Sequence, residues 1–142
     1  MAEFFITLHE KEIARQVADL LNLYNRLTIT HTAQTILSSL SSYFVELDGN
    51  RVVGCTALFK QYPTLSKSFH TSVAPTHRGK GLGQKLLMIA MAHCETENIY
   101  GTVRQDNFVS LRMLKKLGFV FVREELKNDH YIYIMGRRVK DG

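Results

Sequence analysis

The clearest chemical signal in the chain is Val73-Ala74-Pro75-Thr76-His77-Arg78-Gly79-Lys80-Gly81-Leu82-Gly83. An apolar run ends at Val73, Pro75 stops it, and Gly79, Gly81 and Gly83 follow at alternate positions with Arg78 and Lys80 among them. A glycine lets backbone N–H groups approach a ligand with no Cβ in the way. The apolar spacing from Leu82 onward predicts a helix. The first turn of a helix carries N–H groups without internal partners, and the macrodipole adds positive potential there. The stretch is therefore suited to cradle a phosphate or pyrophosphate, with Arg78 and Lys80 adding charge-assisted contacts. It lacks the G-x-x-x-x-G-K-[ST] spacing of a Walker loop. Its glycines run G-x-G-x-G, not the G-x-G-x-x-G of dinucleotide folds.

The elements that must hold this loop can be read along the chain. Glu3–Leu8 is a short apolar run and predicts a first strand. Thr7 and Glu10 have capping-box spacing, and Ile13, Val17, Leu20, Leu21 and Tyr24 then repeat at helical intervals. A short helix is predicted over Ala33–Leu40. Tyr43–Leu47 and Arg51–Phe59 read as strands around Asp48-Gly49-Asn50, a hairpin signal. Gly54 inside the second run marks a weak point or a bulge. After a turn at Gln61–Leu65, Ser66–Val73 is the strand that delivers the chain to the glycines. The helix from Leu82 is predicted to reach about Glu97. Tyr100–Arg104 is a strand, and Asn107 is a natural N-cap for a helix carrying Leu111, Leu114 and Leu117. Leu117-Gly118-Phe119 reads as that helix's C-terminus. Phe119–Glu125 and Tyr131–Met135 are strands joined by Lys127-Asn128-Asp129, and the basic tail Gly136–Gly142 is expected to fray. The predicted order is β-α-α-β-β-β-α-β-α-β-β. It describes one α/β (α+β) domain over residues 1–142, with about seven strands in a mixed, mostly antiparallel sheet and four helices.

Composition narrows the function classes. The 142 residues include 45% hydrophobic and 22% charged side chains, ordinary for a globular domain with a real core. The chain shows no apolar run of membrane-spanning length and no signal-peptide pattern, so a cytoplasmic protein is expected. The formal net charge of +5 favours a polyanionic partner. The basic residues form no aromatic-interleaved stripe, which makes nucleic acid the weaker choice of partner. Cys55 and Cys94 make no C-x-x-C pair and no zinc pattern, and are expected to be small core residues. No metal site is predicted.

The V-x-P strand end followed by Arg78-x-x-Gly81-x-Gly83 resembles the acetyl-CoA pyrophosphate loop of the GNAT (N-acetyltransferase) superfamily. A second block, Asn107-Phe108-Val109-Ser110-x-x-x-Leu114-x-Lys116-Leu117-Gly118-Phe119, is similar to the family's N-x-x-[AS]-x-x-x-[YF]-x-K-x-G-F segment. The predicted element order agrees from end to end. The resemblance implies acetyl-CoA as co-substrate, with direct attack by an amine acceptor in a ternary complex. It further implies a bulge in the strand before the loop, where pantetheine lies as a surrogate strand against Thr71, Ser72 and Val73. The Thr71 N–H would face the thioester carbonyl. The amides and side chains of Arg78, Gly79, Lys80, Gly81, Leu82, Gly83 and Gln84 would hold the pyrophosphate, and Asn107 and Ser110 would lie beside pantetheine. Helix capping alone also explains Asn107, and a solvated surface position explains Lys116.

Two positions depart from the family pattern. Where many members place a tyrosine acid there is Leu114, which has no proton to give; Tyr131 and Tyr133 are candidates to replace it. Where many members place a glutamate base there is Lys67. His70 and Glu46 are the candidate bases. In a regular strand His70 would face away from Phe69 and Thr71, so only a bulge would bring it to the site. A surface histidine and an exposed hairpin carboxylate remain the plain readings of those two residues. The other function class open to the sequence is an acyl-CoA-binding module that no longer transfers. An exposed last strand is a candidate for pairing with a second copy.

Overall fold

The structure is a computed structural model, and it describes residues 8–25 and 30–140. Its elements are α1 (Leu8–Tyr24), α2 (Ala33–Leu37), a 3-10 turn (Leu40–Ser42), β1 (Tyr43–Asp48), β2 (Arg51–Tyr62) and β3 (Leu65–Val73). A second 3-10 turn (Pro75–His77) leads to α3 (Leu82–Ala92), followed by β4 (Asn98–Arg104), α4 (Phe108–Lys116), β5 (Val120–Lys127) and β6 (His130–Arg138). The sheet runs β1-β2-β3-β4-β6-β5. Its β3–β4 pair is parallel, while β1–β2, β4–β6 and β5–β6 are antiparallel. This is the mixed α+β architecture expected, with six strands among the described residues where about seven were predicted. Residues 3–7 of the predicted first strand lie outside the described residues, as does the Thr7 cap, and Leu8 opens α1. No described helix is long and apolar enough to cross a membrane.

Two compact bodies divide the chain. The first comprises the described residues up to Ala57 together with His70–Leu86. Its core joins Ala14, Val17 and Leu21 of α1 to Ile36 of α2 and to Val53 and Cys55 of β2. Burying each large aliphatic side chain is worth roughly 1.5–3 kcal/mol, which is why the helical stripe of α1 is apolar. Gln16 ties α1 to the hairpin: its amide nitrogen donates to Asn50 O (3.1 Å) and its oxygen accepts Val52 N–H (2.7 Å). The hairpin closes at Asp48↔Arg51, with Gly49 left-handed at φ +62. Glu46 pairs with Gly54 and Leu47 with Val52, so Val53 is the extra, bulged residue. Gly54 itself serves packing. A Cβ there would sit 3.0 Å from Leu86 Cδ1 and 3.1 Å from Leu82 Cδ2, so its absence lets α3 approach.

The second body comprises Leu58–Phe69 and the described residues from Leu87 onward. Leu87, Cys94, Ile99, Leu111, Leu114, Leu117, Phe119 and Met135 form its core. The three leucines at three-residue spacing put one face of α4 inward. Gly118 (φ +88) ends α4, with Phe119 N–H on Leu114 O (2.9 Å) and Gly118 N–H on Lys115 O (3.0 Å).

The strands run longer than the sequence expectation, β2 to Tyr62, β4 from Asn98 and β5 to Lys127, and three further boundaries differ for a plain physical reason. The second helix stops at Leu37 and not Leu40, because the Ser38 and Ser39 hydroxyls donate back to Thr35 O (2.8 and 3.3 Å) and the chain tightens into a 3-10 turn. The third helix stops at Ala92 and not near Glu97. His93 N–H is shared between Ile89 O and Ala90 O, and Cys94 and Thr96 are buried on either side of exposed Glu95, with the Thr96 hydroxyl donating to Asn98 O (2.8 Å). The tail holds firm through residue 140. Gly136–Arg138 belong to β6 opposite Asn98–Tyr100, and Val139 and Lys140 N–H both reach Glu97 O (2.7 and 3.1 Å).

Candidate active site

The parallel ladder between β3 and β4 covers only Leu65–Lys67 against Asn98–Tyr100, while β3 itself runs on to Val73. Beyond the ladder's end, His70 stands at φ +54, in the left-handed region that side chains rarely adopt. This is the irregularity on which a catalytic reading of His70 depends. A left-handed residue breaks the period-two alternation, so its neighbours no longer face as a regular strand would place them.

The stretch after His70 is held from several sides within the first body. Thr71 Oγ1 bonds Thr56 Oγ1 of β2 (2.8 Å), and Thr71 O accepts from the Asn25 side chain at the end of α1 (3.2 Å). Ser72 is buried. Val73 O accepts from Arg78 Nε (2.9 Å), and Ala74 N–H donates to Val53 O at the β2 bulge (2.8 Å). The Cys55 thiol donates to His70 O (3.4 Å); burial pushes that thiol up to about 12 and keeps it protonated. His70 Nδ1 lies 2.8 Å from Tyr43 Oη, and the His31 ring meets the His70 ring edge-on at 4.7 Å between centroids. Burial raises Tyr43 to about 12, so the phenol is neutral.

The chain then enters the glycine turn. Gly79 and Gly81 both stand at φ +77. A Cβ built on either meets nothing within 4 Å, so the backbone conformation and not crowding selects glycine. The first bond of the helical ladder runs from Lys85 N–H to Gly81 O (3.0 Å), leaving Leu82, Gly83 and Gln84 as the helix-opening amides. Gly83 lies inside α3 without a left-handed φ. Arg78 and Lys80 are exposed, and the Arg78 guanidinium also covers the Tyr24 ring at 5.1 Å. Lys85 is engaged with Glu46 (2.8 Å), so that candidate base is a surface ion pair. His77 lies between the Thr76 hydroxyl and Asp48 (2.8 and 3.1 Å).

The first body thus gathers Thr71–Val73, His70 and the Arg78–Gln84 turn. Asn107, Ser110 and Tyr131 belong to the second body. Asn107 Oδ1 accepts Ser110 N–H (3.2 Å) as the cap of α4. Tyr131 is exposed on β6, and its carbonyl accepts Gln105 N–H (3.1 Å). Tyr133 packs against Phe121 in an edge contact at 5.2 Å. Leu114 is only 5% exposed within the core, and Lys116 is exposed. Among the described residues no group of three or more His, Cys, Asp or Glu could hold a metal ion. Sequence reasoning missed Asn25, His31, Tyr43 and Thr56. Each lies 15 or more positions from the β3 residue it touches, and nothing in its local sequence announces the contact.

Residues 10–119 match the family model described as the Acetyltransferase (GNAT) family. The chain belongs to that family. Comparison with solved structures agrees on the fold. The GNAT chain aligns with yncA, a putative acetyltransferase from Salmonella typhimurium with its cofactor acetyl-CoA, at TM-score 0.79 and 18% identity, covering 93% of this chain and 91% of that one. Ard1 from Thermoplasma volcanium aligns at 0.76 and 23% identity, over 90% and 94%. Ribosomal-protein-alanine N-acetyltransferase from Brucella melitensis aligns at 0.75 and 15% identity, over 93% and 96%. No curated protein sequence matches. Membership makes the GNAT chain an acyltransferase.

Proposed function

We propose that the GNAT chain is an N-acetyltransferase that moves the acetyl group of acetyl-CoA to an amine acceptor by direct attack in a ternary complex. The observation that carries this is the conjunction, in one body, of left-handed Gly79 and Gly81 before α3 with the Thr71–Val73 end of β3 that leads into them. The residues fit the co-substrate. The turn offers backbone amides with open space around both glycines and two exposed cations, the surface a pyrophosphate needs. The backbone of Thr71–Val73 offers the amide edge that pantetheine requires. Acetyl-CoA supplies the activated acyl group.

The protein's own contribution is then positioning and charge stabilisation. The Thr71 N–H serves as a hydrogen-bond donor where negative charge develops on the thioester oxygen. It is held by Thr56 and Asn25, so no reorganisation is needed as the charge grows. The amine nitrogen forms the new N–C bond, the C–S bond breaks towards sulfur, and the amine's proton must leave. Holding the two reactants in one orientation supplies much of the rate. The structural neighbours named as N-acetyltransferases support an amine acceptor. The reading treats the whole chain as a single cytoplasmic transferase domain.

A second reading, a CoA-binding module without transfer, draws on Leu114, which is buried in the core where family members place a proton donor. Incubation with acetyl-CoA and a panel of amino acids, polyamines and peptides, with thiol detection and mass analysis, separates the two. Acetylated product with matching thiol release supports the transferase. CoA binding with no acceptor-dependent thiol release supports the module.

A further inference from the structure

We propose that Cys55 is a positioning residue: its thiol fixes the peptide planes on either side of Thr71 and so aims the Thr71 N–H at the acyl oxygen. The inference rests on the transferase reading and names what sets the direction of the donor that this reading uses.

Three contacts within the first body carry the geometry. The Cys55 thiol donates to His70 O (3.4 Å), and the Ser72 backbone N–H donates in turn to the same sulfur. Asn25 Nδ2, at the end of α1, donates to Thr71 O (3.2 Å). A trans peptide is planar, with its C=O and N–H pointing in opposite directions. His70 O and Thr71 N–H share one such plane. With the oxygen drawn to the sulfur, the Thr71 N–H points away from Cys55. Thr71 O and Ser72 N–H share the next plane, which is held at both ends, the oxygen by Asn25 and the N–H by the sulfur. One side chain of β2 therefore grips both planes that meet at Thr71. The Thr71 hydroxyl is tied separately to Thr56 Oγ1 (2.8 Å).

The left-handed step explains why such a grip is needed. At φ +54, His70 rotates the His70–Thr71 plane relative to the one before it, so this plane leaves the regular strand pattern and its buried oxygen needs a partner of its own. A thiol suits the place. Cys55 is fully buried, and burial pushes it up to about 12, so it stays protonated and keeps donating through the physiological range. A side chain buried to this degree acts on the chemistry through the backbone it holds. A hydrogen-bond donor stabilises developing charge only over a narrow range of distance and angle. A loosened Thr71 amide should therefore lose rate without losing CoA.

The test uses the full chain. Serine and alanine have nearly the same volume, so Cys55→Ser and Cys55→Ala leave the same space and differ in the donor. With the acceptor that the parent acetylates, Cys55→Ala should lower kcat about tenfold while KM for acetyl-CoA stays within about twofold, and Cys55→Ser should recover most of the rate. Equal kcat in the two variants overturns the proposal, because packing alone then accounts for Cys55. Two further measurements need no turnover. In Raman spectra, the S–H stretching band that disappears in Cys55→Ser should lie below the position of a free thiol. In 15N–1H NMR, the Thr71 amide should move further in Cys55→Ala than in Cys55→Ser. A band at the free-thiol position overturns the proposal whether or not Cys55→Ala folds, and so does a Thr71 amide that stays in place. A parent that binds CoA yet acetylates no amine would instead overturn the transferase reading, and the band and amide shifts are read apart from it.

Discussion

His70 and the Gly79–Gly81 turn both leave regular backbone through left-handed residues, and both lie in the first body. They are stabilised in opposite ways. The glycine turn needs no support, since a residue without Cβ reaches φ +77 at little cost and the space around it is empty. The left-handed step at His70 carries a full side chain at φ +54 and is sustained by contacts of His70 and Thr71 with Cys55, Tyr43, Thr56 and Asn25. Where a ligand's phosphates must approach backbone amides, an unencumbered turn is the economical solution. At His70 the strain is accepted and spread over neighbours.

That contrast can be broken at the turn first. Gly81→Asp should weaken CoA binding by at least about 100-fold in calorimetry, some 2.7 kcal/mol, since it adds a negative charge where a pyrophosphate is to sit. Gly81→Ala meets no neighbour and should cost only about 1 kcal/mol of stability from backbone strain. Equal CoA affinity in the two variants would show that the turn is not an anion site.

At the left-handed step, His70→Val should lower stability by roughly 1–3 kcal/mol in chemical denaturation, because a β-branched residue resists this conformation. His70→Asn should cost clearly less. If valine and asparagine behave alike, the left-handed backbone is not under strain, and the contrast with the glycines disappears.

A smaller effect concerns alkaline pH. Burial raises the Cys55 thiol from near 9.0 and the Tyr43 phenol from near 10.0, each to about 12. Both acids thus titrate higher in the folded chain than in the unfolded one. Their contribution to stability is complete below pH 9 and declines as pH rises from about 9 to 12. The denaturation midpoint should fall across that window, and less steeply in Cys55→Ala. The same slope in parent and variant would mean that the thiol is not a buried support of the left-handed step at His70.

The glycine turn was legible because its physics is local. Glycine at 79 and 81, proline at 75 and the helical spacing from Leu82 each act within a few residues. The same holds for the Asp48-Gly49 hairpin and for the Asn107 cap and Gly118 end of α4. Helix ends were less legible, because serine hydroxyls at 38 and 39 and the buried Cys94 and Thr96 compete with helix continuation in ways that periodicity does not register. The pair of Leu114 and Lys67 was readable as a departure from the family pattern, yet what replaces the missing groups was not. Tyr43 lies 27 positions from His70 and Asn25 lies 46 from Thr71.

By itself, then, the sequence determined the order of elements from α1 onward, the family and the left-handed glycine turn before α3, since each follows from residue type and short-range spacing. Only the tertiary structure decided which way His70 faces. A period-two pattern assigns it one side of a regular strand, and the left-handed step that changes this is stabilised by contacts from α1, β1 and β2, which chain folding alone brings to it.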